Sequence, residues 1–425
     1  MPSILSLDRL RFLYGRLRER LWVKPLAICL ASFAVGFVAK FADTTQLGGL
    51  VPEVRAEALE VLLAVLASSM LVVATFAVGS MVAAYASAGH SATPRSFPLV
   101  VADDVSQNAL STFIGAFIYG VVALTSLKNE FFGLAGRFTL FVLTVAVFAI
   151  VIVTLVRWVD RIARLGRLGA TVDTIEQATS AALRRRRRAP TLGGAALGEH
   201  ADEGLPVHSA TVGYVQYVDV KALQAWAAAR EATVVVRLLP GGFATPQREL
   251  ARVHLAGATP EADTLGDVAR AFVVGGDRRF DGDPRFGLVV LAETASRALS
   301  PAVNDLGTAI DIVGTLVRLF VEWSSADPDA EPPEVRFDRV QVPALSIEDM
   351  FDDAFTAIAR DGAGLVEVGI RLQKALAALA ATGDVDLRAA AARHARLALA
   401  RAEHALDLPE DVEAVRAAQG AVQPA

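Results

Sequence analysis

Two short stretches gather side chains that can do chemistry. In "SRALSPAVNDLGTAIDI", residues 296–312, a Ser-Pro break and an Asn-Asp pair put Ser300, Asn304, Asp305 and Thr308 between two apolar segments of helical period, where a buried pair is expected. Such hydroxyls and carboxylates either cap a helix by accepting its free amides or hold a ligand at a contact between domains or subunits. In "HSATPRSFPLVVADDVSQNAL", Asp103, Asp104 and Asn108 stand just before an apolar run. Acids there suit the positive end of a helix dipole, or an ion-attracting pore mouth in an oligomer.

The elements that must position these groups follow from apolar patterning. The chain has 425 residues, 53% of them hydrophobic, and its mean hydropathy is +0.43, which in a chain this long points to membrane spans. Four stretches of low charge precede residue 160: Pro25–Ala39 with its flanks, Val61–Ala88, Val105–Leu127 and Phe138–Val156. Each suits a hydrocarbon layer about 30 Å thick crossed by roughly 20 apolar residues. Lys24 and Lys40 bracket the first stretch and can snorkel to opposite interfaces, or Lys40 can line a pathway.

Basic residues set the expected orientation. Arg9, Arg11, Arg16, Arg18, Arg20 and Lys24 precede the first span, and Arg157, Arg161, Arg164, Arg167 and the run Arg184–Arg188 follow the fourth. The loops at 43–60 and 128–137 are poor in Lys and Arg, so both termini are expected in the cytoplasm. The first stretch lacks a small-residue cleavage site and reads as an anchor. Arg184, Arg185, Arg186, Arg187 and Arg188 have two readings, the positive-inside bias itself or contact with anionic lipid.

Small residues recur every four positions in Gly79-Ala83-Ser87, Ser80-Ala84-Ala88 and Thr112-Ala116-Gly120. Such faces let helix backbones approach closely in lipid, and they predict a homo-oligomer.

Beyond the fourth span, residues 161–208 read as a juxtamembrane helix to about Leu183, the arginine run and a linker over 189–208. Residues 209–280 change period: "ATVGYVQYVD", "ATVVVRLL" and "RELARVHLA" read as strands around the helix "VKALQAWAAARE". Residues 281–425 read as a helical bundle, with a Pro- and acid-rich loop at 326–343 and a Ser346 cap. The fold class is therefore an α-helical membrane protein of four transmembrane helices over residues 1–160, with an α+β and then all-α cytoplasmic C-terminal domain.

Composition narrows function. The net charge of −5 has its basic residues at the membrane flanks, so nucleic-acid binding is not indicated. Cys29 is the only cysteine, and the six histidines have no metal-ligand spacing. No lysine sits at a hairpin tip to carry a cofactor, and no cofactor or metal is expected. Hydrolase, metalloprotease and P-loop motifs are absent, which argues against an enzyme.

The segments "TPRSFPLVVADDVSQNALSTFIGAFIYGVVAL", "GYVQYVDVKAL", "FVVGGDRRFDGDPRFGL", "RALSPAVNDLGTAID" and "FDDAFTAIARDGA" together resemble the bacterial predicted-membrane-protein family domain of unknown function 2254, over about residues 10 to 410. In that family the 300s motif reads closer to A-L-S-P-G-I-N-D-P, and here Ala302 and Leu306 replace a glycine and a proline. The resemblance implies an inner-membrane protein with a cytoplasmic C-terminal domain and names no activity. Two functions are compatible with these features: an oligomeric channel or transporter-like protein with a cytoplasmic assembly or gating domain, and a membrane-anchored sensor or scaffold that binds a ligand or partner.

Overall fold

Apolar helices that bury one stripe against each other build the first half of the chain. A computed structural model describes residues 23–43, 52–91, 93–101, 103–164, 167–255, 262–325 and 334–420, and the chain divides into two units between Thr171 and Val172. The arginines at 9–20 lie outside the described residues. In the N-terminal unit α1 spans Val23–Ala42, α2 Ala56–Ser91, α3 Phe97–Val101, α4 Asp104–Lys128 and α5 Leu134–Arg164. Among the described residues three helices are long and apolar enough to cross a membrane: Ala56–Ser87, Asp104–Lys128 and Leu134–Arg164. The first expected span falls on α1, a helix of 20 residues with Lys24 and Lys40 near its ends, which is not among those three.

Leu59, Leu63 and Leu66 of α2, Phe113 of α4 and Leu140 and Trp158 of α5 are buried in one cluster. The Trp158 ring meets Phe113 edge-on, with centroids 6.2 Å apart. The stripe Thr112-Ala116-Gly120 serves this packing within the chain. A Cβ at Gly120 would sit 3.1 Å from the Cβ of Ala67, so glycine is what lets α4 approach α2 there.

The C-terminal unit mixes two sheets with a helical bundle. Helix α6 covers Leu168–Arg188, β1 Gly194–Ala195, β2 Leu205–His208, β3 Gly213–Val218, α7 Val220–Ala228, β4 Ala232–Val236, β5 Phe243–Ala244 and β6 Glu249–Leu255. Then come α8 (Ala262–Arg270), β7 (Phe272–Gly275), α9 (Pro284–Ala298), α10 (Leu306–Ser324), β8 (Phe337–Gln341), α11 (Ile347–Asp361), α12 (Val366–Ala380), α13 (Val385–Ala405) and α14 (Pro409–Gly420). The strand order is β1-β8-β4-β6-β2 in one sheet and β5-β3-β7 in the other. In the larger sheet β8 runs parallel to β1 and β4, while β6 runs antiparallel to β4 and β2.

Three expected boundaries move. The helix after the fourth span is interrupted at Arg167 and then continues through the arginine run to Arg188 instead of ending near Leu183. Arginine is a good helix former, so consecutive arginines extend the helix. The expected linker at 189–208 carries β1 and β2, and the expected loop at 326–343 carries β8. Short strands paired by distant segments leave little local periodicity, so β8 joins the 281–425 region to the sheet of the 209–280 region.

Candidate functional site

The Ser300–Thr308 corner is a helix start. Asp305 is the N-cap of α10: its Oδ1 accepts from the Thr308 amide at 3.0 Å and its Oδ2 from Thr308 Oγ1 at 2.6 Å. These hydrogen bonds from Thr308 hold the Asp305 carboxyl below the ordinary aspartate value. Asn304 takes a φ of 50°, a left-handed conformation that asparagine tolerates, and its amide donates to the Ser300 carbonyl at 2.8 Å. Ser300 Oγ donates to the Arg297 carbonyl at 2.7 Å. Pro301, Ala302, Val303 and Asn304 are exposed. The Asn-Asp pair therefore stands at the surface and is not buried between apolar helices, because the chain turns outward between α9 and α10.

Asp103 likewise caps a helix. Its Oδ2 accepts from the Ser106 amide at 2.9 Å at the start of α4, and its Oδ1 accepts from Arg161 Nε and Nη2 of α5 at 2.9 and 2.8 Å. The side chain is only 5% exposed. Its charge is thus matched inside the chain, while Asp104 and Asn108 are exposed on the first turns of α4. Lys40 also has partners of its own: Nζ donates to the Phe131 carbonyl at 2.7 Å and lies 3.8 Å from Asp43. Asp43 in turn accepts from the Gly133 and Gly136 amides, where α5 begins.

The arginine run does not present one face. A helix turns about 100° per residue, so five consecutive arginines point around its circumference. Arg184 pairs with Glu322 of α10, Arg185 Nη2 donates to the Asp281 carbonyl at 2.8 Å, and Arg187 Nη1 donates to the Glu322 carbonyl at 2.9 Å. Arg188 is exposed. Arg186 is 4% exposed, and neither of its Nη nitrogens has a hydrogen-bond partner.

Beside the run lies a buried aspartate, Asp283, in the helix-start pair Asp283-Pro284. Asp283 is 2% exposed and is the N-cap of α9. Its Oδ1 accepts from the Phe286 amide at 3.2 Å and its Oδ2 from Arg278 Nε at 2.7 Å. Gly241, at a φ of +94°, turns next to this carboxylate, and any Cβ there would overlap it. Burial pushes the Asp283 carboxyl above its ordinary value, with Arg278 pulling the other way. Burial also lowers the Arg186 guanidinium to about 10, against the attraction of Asp283. The dense charge of "GDRRFDGDPRF" is the signal the sequence offers; its pairing with residue 186 is set by tertiary structure. Among the described residues no group of three His, Cys, Asp or Glu side chains is arranged to hold a metal ion.

Three long apolar helices followed by a unit of two sheets and a helical bundle are the build of a membrane protein with a mixed α/β and then helical C-terminal region. The chain belongs to the family described as Predicted membrane protein (DUF2254), whose model matches residues 18–378. It is 34% identical over 140 residues to uncharacterised proteins of Mycobacterium tuberculosis (strain CDC 1551 / Oshkosh) and Mycobacterium bovis. That match spans 32% of this chain and 26% of each relative, so the chain covers about a quarter of the relatives' length. No solved structure matches.

Proposed function

We propose that this protein is an oligomeric channel or transporter-like protein of the bacterial inner membrane, with its C-terminal unit as a cytoplasmic assembly or gating domain. The observation that carries the reading is a contrast between two outer helix faces. On α5, Val142, Val145, Ile150, Ile152, Val153 and Val156 are exposed, a surface suited to lipid. On α2, Ser68, Thr75, Gly79, Ala83 and Ala86 are exposed among larger apolar side chains such as Val65, Val72, Phe76 and Val82, and a Cβ at Gly79 would meet nothing within 4 Å. Lipid offers such a small, hydroxyl-bearing face little contact, whereas a second helix can approach it closely. In the proposal a second copy of the chain fills it.

The same reading takes α1 as a fourth crossing and puts both termini in the cytoplasm, consistent with the arginine distribution. It assigns no enzymatic step and no nucleic-acid partner. The exposed members of the run, Arg184, Arg185 and Arg188, are the part of it most open to anionic headgroups. The test is ion and solute flux into liposomes that contain the purified full chain. Flux above protein-free liposomes that is lost in Gly79→Leu supports the reading, and a tight membrane with correctly inserted protein contradicts it.

A second reading, a membrane-anchored sensor or scaffold, is favoured by the exposed corner Pro301-Ala302-Val303-Asn304, an apolar projection between two packed helices. It predicts that Val303→Asp abolishes capture of a partner while the melting temperature of the full chain is unchanged.

A further inference from the structure

Helix α6 follows α5 in the chain after the break at Arg167, and two stripes of its surface are held in different ways. Val172, Ile175, Thr179 and Ala182 are buried at helical spacing, and Thr179 packs so closely on Gly287 of α9 that no Cβ fits there. The second stripe, Glu176, Ser180, Arg184 and Arg187, is polar and goes to α10. Glu176 accepts from Arg318 Nε and Nη2 on its two oxygens, each at 2.7 Å. Ser180 Oγ donates to Glu322 Oε2 at 2.7 Å, and Arg184 pairs with the other oxygen of the same carboxylate. Arg187 Nη1 donates at 2.9 Å to the Glu322 carbonyl, in the last turn of α10, where helix carbonyls lack intrahelical donors and the dipole favours cations. The whole polar stripe thus ends on two residues of α10 one turn apart, Arg318 and Glu322.

Dissolved ions reach this seam. The side chains of Arg318 and Arg184 are each 62% exposed, with Glu176 at 21% and Glu322 at 31%. The Arg278–Asp283 pair at the start of α9 is sheltered by comparison, at 18% and 3%. Exposed pairs weaken as salt screens them, over a length of about 10 Å at 0.1 M and about 3 Å at 1 M. Screening does not weaken apolar packing. A rise in ionic strength therefore loosens the α10 stripe and leaves the contact with α9 in place.

We propose that the seam between α6 and α10 is a latch sensitive to ionic strength. Closed at low salt, it fixes α6 on α10; open at high salt, it frees α6 to turn about its contact with α9, and so regulates the gating domain. The regulatory role rests on the reading of the chain as a channel or transporter-like protein, whereas the latch itself does not.

The test is the distance between spin labels at Gln177→Cys of α6 and Val321→Cys of α10, in full-length Cys29→Ser protein in a nonionic detergent. Raising potassium chloride from about 0.1 to about 1 M, which collapses the screening length, shifts the label pair to longer distances. Sucrose of equal osmolarity leaves it unchanged. The combined variant Arg318→Gln, Glu322→Gln starts at the longer distance and does not respond to salt. Should that variant fail to fold, Glu176→Gln, which removes only the Arg318 fork, must show a smaller salt response than wild type. The latch is overturned if the wild-type distance does not change with salt, if sucrose moves it equally, or if the variants respond as wild type does. Its regulatory role is overturned if flux through wild type in liposomes has the same salt dependence as flux through the Arg318→Gln, Glu322→Gln protein. Absence of flux at every salt concentration ends the channel reading and the regulatory role with it, and the label distance still decides the latch.

Discussion

Arg161, in the last turn of α5, grips the buried carboxylate of Asp103 with two nitrogens, 2.9 and 2.8 Å from Oδ1. One carboxylate thereby both starts α4 and fastens it to α5.

The two tasks of Asp103 separate by substitution. Asp103→Asn keeps an oxygen for the Ser106 amide but drops the charge, and Arg161→Gln leaves the carboxylate without its cation. Arg161 is 40% exposed, so Asp103→Asn costs about 1 kcal/mol, whereas Arg161→Gln strands a carboxylate that is 5% exposed and costs more. Asp103→Ala removes cap and pair together and costs about 2 kcal/mol or more. Thermal melts of the full chain in one detergent check the order.

Gly287 of α9 faces Thr179 of α6, and any Cβ at Gly287 would overlap the threonine side chain. Gly287→Ala is expected to cost about 1–3 kcal/mol by overpacking. Thr179→Ala in the same chain should recover part of that loss, a coupling measured by a double-mutant cycle on melts of the four proteins.

Asp305 distinguishes a cap from a charge site. Asp305→Ala is expected to cost about 0.5–2 kcal/mol, while Asp305→Asn, which still accepts from the Thr308 amide, stays close to wild type. The folded-state pKa of Asp305 is lowered, so its contribution is present above the ordinary aspartate value of 3.8 and is lost as pH falls below that value. The difference between wild type and Asp305→Ala therefore narrows on acidification.

His394 of α13 is 2% exposed beside Phe351 and Phe355, with Nε2 3.1 Å from Asp352. Burial lowers its pKa despite the carboxylate. Its stabilising contribution is thus complete above the ordinary histidine value of 6.5 and declines as pH falls below it toward the lowered folded value. His394→Gln should flatten the fall in melting temperature between about pH 7.5 and 5, an interval set by that ordinary value.

Long, strongly periodic elements are legible in the sequence. The strands at 213–218, 232–236 and 249–255 and the caps Asp305 and Ser346 follow from alternation and from residue type at helix starts. Strand β8 is hidden because its pairing partners, β1 and β4, lie far earlier in the chain and its own five residues include Asp338 and Arg339. Helix α14 is short and polar on most sides, and it closes on α12 and α13 through contacts such as Val415 against Gly369 that no local pattern announces. Of the chemistry, spacing from apolar runs exposes Asp103 and Asp305. The Arg186–Asp283 relation stays out of reach, because which arginine of five points inward depends on where the helix phase falls.

Whether a second copy of the chain packs on the small face of α2 is tested most directly by cysteine cross-linking in native membranes. Cys29→Ser removes the only native thiol. In that background Gly79→Cys or Ala83→Cys is predicted to give a disulfide-linked dimer on mild oxidation, while Ile152→Cys on the outer face of α5 stays monomeric. Monomeric Gly79→Cys and Ala83→Cys chains, with cross-linking at Ile152→Cys instead, would contradict the account.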